Sequence, residues 1–382
     1  MNIAFFTDTY SPNTDGVVTA ILNYRRELEN RGHTVFIFSP GTAQQKEENK
    51  DPRIYYFTSK SFKPYPDYRI AVFNFFSHVK IIKDLKIDVI HSHGVATTGL
   101  AAIQSSKKLG IPAVATFHTL LPEAMHYVTN QPQLKGVLQS LAWSYLSWYY
   151  SSYRKTFAPS TFTKKILESH GVKNAFVMPG GVDTKLFNPS VSGAITRKKF
   201  GIKKSDNVVL CLGRVALEKN LEVVIEAAPS IINLLPDVKF VIAGKGPAEK
   251  HYKELVRQKG LDMHFIFTGY VDQEFVPGLY ACADVLAFPS CFDTQGLVVL
   301  EAMACGTPAV VRKDSAPSEF VSEGKNGYVF SDHFDFHEKV VSAIKNKKTL
   351  GGEAVKTARE FDISLVTDRL LDVYSSLISQ KG

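Results

Sequence analysis

Two carboxylates and two cations stand out in this chain for their spacing. In PSCFDTQGLVVLEAMACGTPAV, Pro289 to Val310, Asp293 and Glu301 lie eight residues apart and flank the start of an apolar, helix-favouring run from Leu297 to Ala304. The pattern predicts Asp293 in a loop, Thr294 or Gln295 at the cap, and Glu301 about two turns inside the helix. Gly306 and Pro308 end the helix, and Ala309 to Val311 reads as the next buried strand. A helix N-terminus preceded by small residues presents free N–H groups to an anion. Two nearby carboxylates can hold hydroxyls of a sugar or ribose, and a diphosphate beside hydroxyl-rich groups describes a nucleotide-sugar. In LGRVALEKN, Arg214 and Lys219 follow a buried strand. Fixed cations there stabilise a departing diphosphate more in the transition state than in the ground state. A third position, His118, directly follows the strand Ala113 to Thr116, at the strand end where doubly wound sheets bind ligands.

The elements that must position these residues alternate between apolar strands and amphipathic helices, which implies α/β architecture with parallel sheets. Strands are expected at Ile3–Phe6, Val35–Phe38, Asp88–His91 and Ala113–Thr116, with a helix over Thr19–Asn30. A fresh series begins with Asn207–Leu212 and continues through Phe240–Ala243, His264–Phe267, Val285–Phe288 and Ala309–Val311. The restart near residue 205, after the basic, polar stretch Thr196–Asp206, marks a second Rossmann-like domain, with a hinge near Asp183–Pro189. The expected division is 1–185 and 186–362. Phe62–Phe76, with Lys63, Tyr65, Tyr68 and Arg69, reads as a loop able to guide an apolar acceptor. The aromatic segment Leu141–Lys155 fits either core packing or a membrane interface.

Bulk properties narrow the field. At 382 residues the chain suits two domains. It has no apolar run of transmembrane length, and MNIAFFTDTY reads as a strand rather than a signal peptide. Cys211, Cys282, Cys291 and Cys305 lie far apart, as expected for reduced thiols of a cytoplasmic protein, with neither a disulfide frame nor a zinc site. The net charge of +8 suits an anionic membrane surface or a polyphosphate donor, and no nucleic-acid-binding motif accompanies it. An NAD-dependent enzyme is disfavoured because no GxGxxG follows the first strand.

The string GLVVLEAMA, with an acid eight residues before its Glu301, closely resembles the signature of retaining family 4 glycosyltransferases. Asp293 stands where that pattern usually has Glu. The resemblance implies the GT-B fold: two Rossmann-like domains with parallel sheets facing across a cleft, and a last helix, about 363–382, packing back on the first domain. It implies that Glu301 holds ribose hydroxyls and Asp293 sugar hydroxyls, and that Arg214 and Lys219 neutralise the diphosphate. Gly16, at the turn before the first helix, would face the diphosphate, and His118 would contact the sugar. Gly244 in GKGP and Val271 in GYV would approach the nucleotide through main chain, with Thr294, Gln295, Gly296 and Leu297 completing the donor site. His126 and Tyr127 are acceptor-side candidates, similar to a loop of enzymes that glucosylate diacylglycerol or make sulfolipid. No cofactor or metal is implied, since Arg and Lys can serve in a metal's place and no DxD motif lies in a suitable turn. The expected activity is hexosyl transfer, with glucose as the expected hexose, from a UDP-linked donor to a lipid such as diacylglycerol. A soluble sugar or inositol acceptor with a GDP- or UDP-sugar, a nonhydrolysing epimerase and a non-catalytic nucleotide-sugar binder are the alternatives. Domain closure would be needed to bring His118 to Arg214.

Overall fold

Runs rich in Val, Ile and Phe become buried strands in both halves of the chain. The computed structural model describes residues 1–13, 15–62, 65–72, 77–120, 122 and 131–380. Contacts divide the chain into unit 1, Met1–Gly181 with Ile363–Gly382, and unit 2, Val182–Asp362.

Unit 1 carries β1 (Asn2–Phe6), β2 (Thr34–Gly41), β3 (Ile54–Phe62), β4 (Tyr65–Ala71), β5 (Val89–Ser92), β6 (Ala113–Thr116), β7 (Lys155–Ala158) and β8 (Ala175–Val177). They form one sheet in the order β4-β3-β2-β1-β5-β6-β7-β8. Every neighbouring pair is parallel except β3 and β4, which are antiparallel with Ser59 opposite Ala71. This corrects one expectation: part of Phe62–Phe76 is an edge strand rather than a loop, antiparallel to its neighbour in a sheet whose other described pairs are parallel. Arg69 is drawn into that strand by Ser59, whose Oγ accepts from its Nε at 2.8 Å. The first helix starts at Gly16, earlier than expected, because the Asp15 carboxylate caps it by accepting from Val17 N and Val18 N at 2.9 Å each.

The final helix, Ile363–Ser379, belongs to unit 1. It buries Ile363, Val366, Leu370, Tyr374 and Leu377, a stripe at helical spacing, in the cluster that holds Ile21, Tyr24 and Leu28 of the first helix. Burial of such apolar side chains stabilises by about 1.5–3 kcal/mol each. The aromatic helix Pro132–Ser151 is divided: Leu146, Tyr149 and Tyr150 are core, whereas Leu134, Val137, Leu141 and Trp148 are exposed, Trp148 by 53%.

Unit 2 carries β9 (Asn207–Leu212), β10 (Val238–Ala243), β11 (Phe265–Gly269), β12 (Val285–Phe288), β13 (Ala309–Arg312) and β14 (Gly327–Phe330), all parallel, in the order β11-β10-β9-β12-β13-β14. The unit begins at Val182 because Val182 N donates to Phe361 O at 2.9 Å, tying the entering and leaving strands of chain together. The stretch Thr196–Asp206 is part of this unit. Helix Ala194–Lys199 starts there, and Arg197 donates to the carbonyls of Lys203, Asp206 and Cys282 at 2.8, 3.0 and 2.7 Å. Among the described residues no helix is long and apolar enough to cross a membrane.

Candidate functional site

Each sheet has one place where chain order reverses, between β1 and β5 in unit 1 and between β9 and β12 in unit 2. Loops leaving the carboxyl ends of the two flanking strands part there and form a crevice. In unit 2 those loops are residues 213–220 and 289–296, and they carry Arg214, Lys219 and Asp293. Adjacent parallel pairing, with Val285 opposite Val209 and Leu286 opposite Leu210, delivers the loops side by side.

Lys219 ends a short 3-10 turn, Leu217–Lys219, and its Nζ donates to both Asp293 oxygens at 2.8 Å. The two side chains keep 23% and 20% exposure, so the pair is accessible to a ligand. Arg214 lies 3.7 Å from the Glu218 carboxylate, four residues along the same loop. Both cations expected to meet a diphosphate therefore already face a carboxylate, and Glu218 was not singled out in the sequence because it precedes Lys219 in an ordinary polar turn.

The helix after Asp293 runs from Leu297 to Ala304, and its cap is Gly296, at φ +82°, which has no side chain to bond the first N–H groups. This corrects the assignment of Thr294 or Gln295 as the cap. A Cβ on Gly296 would lie 2.7 Å from Pro317 Cγ, and its left-handed backbone adds strain to any side chain. Glu301 is the fifth residue of this helix, little more than one turn inside rather than two. It is 9% exposed, and Tyr280 Oη donates to its Oε2 at 2.6 Å. Burial raises the carboxyl above its ordinary range, and the Tyr280 hydrogen bond opposes that shift. Tyr280 lies in the apolar helix Val276–Cys282, where nothing in the sequence distinguishes it from core.

The remaining donor-side loops are tied to this corner through main chain. Gly213 N donates to Ala243 O at 3.0 Å, Gly244 N to Gly269 O at 2.9 Å and Val215 N to Lys245 O at 3.0 Å. A Cβ on Gly244, at φ +135°, would lie 1.9 Å from Gly213 O. Its glycine is thus required by the neighbouring backbone, whatever else it meets. Val271 follows Gly269 and is partly buried against the core cluster of Val299 and Leu300.

Unit 1 holds the other candidates. His118 Nε2 lies 2.9 Å from His93 Nδ1, and burial lowers the His118 imidazole to about 4, so the ring is neutral at physiological pH. At the β1/β5 reversal, Asp8 Oδ2 accepts from Val95 N and Ala96 N at 2.7 and 2.8 Å, and Thr98 Oγ1 donates to Oδ1. Gly16 is the first residue of its helix, and beyond its chain neighbours and the backbone of its own helix no described protein atom lies within 4 Å of where its Cβ would be. His126 and Tyr127 lie outside the described residues, as do the side chains of Lys63, Tyr65 and Tyr68.

Two family patterns cover most of the chain: Glycosyltransferase Family 4 matches residues 14–186 and Glycosyl transferases group 1 matches residues 194–360. The chain belongs to the family 4 glycosyltransferases. This glycosyltransferase is similar to the alpha-monoglucosyldiacylglycerol synthase of Streptococcus pneumoniae, at 29% identity over 100% of this chain and 88% of that protein. It is also similar to the GDP-mannose-dependent alpha-mannosyltransferase of Corynebacterium glutamicum, at 26% identity over 90% of this chain and 80% of that one. Among solved structures, Anabaena HepE in complex with UDP superposes with a TM-score of 0.75 at 19% identity, covering 98% of this chain and 100% of that chain. The likeness identifies the glycosyltransferase's architecture as GT-B, and its activity is hexosyl transfer.

Proposed function

We propose that this glycosyltransferase moves a hexose, with retention of anomeric configuration, from UDP-glucose or another UDP-hexose to a diacylglycerol-type lipid at a membrane surface. The observation that carries the donor assignment is the β9/β12 corner, where a glycine-capped helix start follows the Lys219–Asp293 pair. Diphosphate oxygens would accept from the first N–H groups of helix Leu297–Ala304 and draw on Lys219 and Arg214. Glu301, fixed by Tyr280, would accept from ribose hydroxyls. Asp293 would turn from Lys219 to the sugar hydroxyls, and His118 would meet the sugar from unit 1. The UDP in the Anabaena HepE complex supports the uridine donor.

In the free site both Asp293 oxygens accept from Lys219, and in the loaded site they would accept from sugar hydroxyls, so in neither state is this carboxylate free to attack C1. That favours front-face displacement. The bond from C1 to the phosphate oxygen breaks, the acceptor oxygen bonds C1 on the same face, and its proton passes to the departing phosphate. Lys219 and Arg214 supply the charge stabilisation, so a metal is not required.

The lipid acceptor is supported by the similarity to the S. pneumoniae synthase and by charge placement. Unit 1 has 22 Lys and Arg against 14 Asp and Glu, whereas unit 2 has 23 against 23, so the whole +8 belongs to unit 1. Exposed Lys107, Lys108, Arg154, Lys165 and Lys173 share that unit with the exposed apolar positions of helix Pro132–Ser151. Basic and apolar surface together suit peripheral attachment to an anionic bilayer at its cytoplasmic face. The similarity to the C. glutamicum enzyme supports a second reading, a GDP-mannose donor.

The test is nucleotide release from UDP-, GDP- and ADP-sugars, with metal chelated, with and without vesicles containing diacylglycerol and anionic lipid. Vesicle-dependent UDP release is expected. Release of GDP alone would replace the donor, and release indifferent to vesicles would point to a soluble acceptor or an epimerase.

A further inference from the structure

His91, His93 and His118 form a continuous run of rings at the carboxyl ends of β5 and β6. His91 is clamped at both nitrogens: Nδ1 lies 2.6 Å from Tyr374 Oη, on the final helix, and Nε2 lies 2.6 Å from Thr116 Oγ1. His93 packs against it at a centroid distance of 4.0 Å and against the edge of Phe5 at 4.8 Å. On its far side His93 Nδ1 meets His118 Nε2 at 2.9 Å, with the rings 25° from parallel. His93 is 5% exposed, and its Nε2 is buried with no hydrogen-bond partner among the described residues.

That orphaned nitrogen decides the tautomer. A neutral imidazole carries one N–H. If the proton sat on His93 Nε2, a buried donor would be left without an acceptor, an arrangement that is rarer in folded proteins than an unpaired acceptor. The proton therefore belongs on Nδ1, which then donates to His118 Nε2. His118 must accept there and carry its own proton on Nδ1. Protonating His118 at Nε2 would force the His93 proton onto the orphaned side, so the pair resists forming an imidazolium.

We propose that His93 is a positioning residue for His118: its Nδ1–H donates to His118 Nε2, fixing that ring's orientation and its Nδ1–H tautomer. The clamp on His91 and the stack against it make the final helix, through Tyr374, part of the same support. The catalytic consequence rests on the reading that His118 meets the donor sugar.

Nitrogen-15 NMR of the imidazoles in the full-length protein tests this directly, with His118 assigned through His118→Gln. Wild type should show His118 with its proton on Nδ1. His93→Asn can place an amide N–H near the lost Nδ1, so it should keep that tautomer and hold kcat within about threefold of wild type. His93→Leu removes the donor; the tautomer preference should be lost and kcat should fall about tenfold, as for one hydrogen bond, with donor KM little changed. A wild-type His118 protonated on Nε2 overturns the proposal even if His93→Leu does not fold. So does a His93→Leu enzyme with the wild-type tautomer and kcat. If the tautomer follows His93 as expected but His118→Ala keeps full turnover, the pairing stands and the sugar-contact reading falls.

Discussion

The two order-reversal points treat the same physical problem in opposite ways. In unit 1 the Asp8 carboxylate accepts from the two N–H groups just before helix Thr97–Leu109, Val95 N and Ala96 N, and from the Thr98 hydroxyl. The neighbouring helix from Gly16 is likewise capped by Asp15. In unit 2 the helix from Leu297 has a glycine cap, which offers no side chain, and Asp293, three residues before that cap, is held by Lys219. A built-in carboxylate occupies the place that a phosphate would take and repels it, whereas a backbone-capped start with two cations nearby favours one. One fold repeated twice thus yields one corner suited to structure and one suited to an anionic ligand.

Glu301 offers the largest expected effect that would break this comparison. Glu301→Ala should lower kcat/KM by about 100-fold or more, the scale of losing a preorganised polar contact, measured by donor turnover. Near-normal turnover would remove unit 2's corner from the chemistry. Glu301→Gln separates function from folding. Burial raises the folded carboxyl's affinity for a proton above that of the unfolded chain, so the folded state binds more protons between the two values and wild-type stability falls as pH rises through that window. The Gln variant lacks this loss, so its Tm should exceed that of wild type at pH 8 and approach it at pH 4, while its activity stays low. Thermal melts across pH read the difference.

Lys219→Ala should cost somewhat less, about tenfold to 100-fold in kcat/KM, and it leaves Asp293 without its cation. The double variant Lys219→Ala, Asp293→Ala sharpens the point. If the cation serves the diphosphate, removing both should recover folding stability but not turnover. Recovery of turnover would mean that the pair is only a structural ion bridge.

Much of the fold was legible because apolar runs of four to six residues sit between turn residues, and β6, β9 and β12 begin and end at the residues expected. The edge strand β4 was not, because Phe62–Phe76 mixes aromatic, basic and proline residues without alternation, and its pairing with β3 is a tertiary choice. At the site, the residue types of Arg214, Lys219, Asp293 and Glu301 marked the right loops. Their present partners did not follow from spacing: Lys219 meets Asp293 across 74 positions of sequence, and Tyr280 meets Glu301 across 21. His93 was within reach, since His91-Ser92-His93 alternates at a strand end in front of Gly94. The orphaned nitrogen that gives it meaning exists only in the folded packing.

Smaller effects are expected in unit 1. Asp8→Ala should destabilise by about 1–2 kcal/mol, through unpaired N–H groups where helix Thr97–Leu109 begins, lowering Tm with donor KM little changed. A large rise in donor KM at unchanged Tm would show that the corner of unit 1 also holds the donor. Gly16→Ala is the finest probe. Beyond its chain neighbours and the backbone of its own helix, no described protein atom lies within 4 Å of the added methyl, so folding should be unaffected or slightly improved, by up to about 1 kcal/mol. Any loss of turnover then reports the donor rather than the fold. A modest rise in donor KM at equal or higher Tm is the expected outcome if the diphosphate passes close to this turn. An unchanged KM would confine the phosphate contacts to unit 2 and leave the Asp15-capped helix a purely structural role.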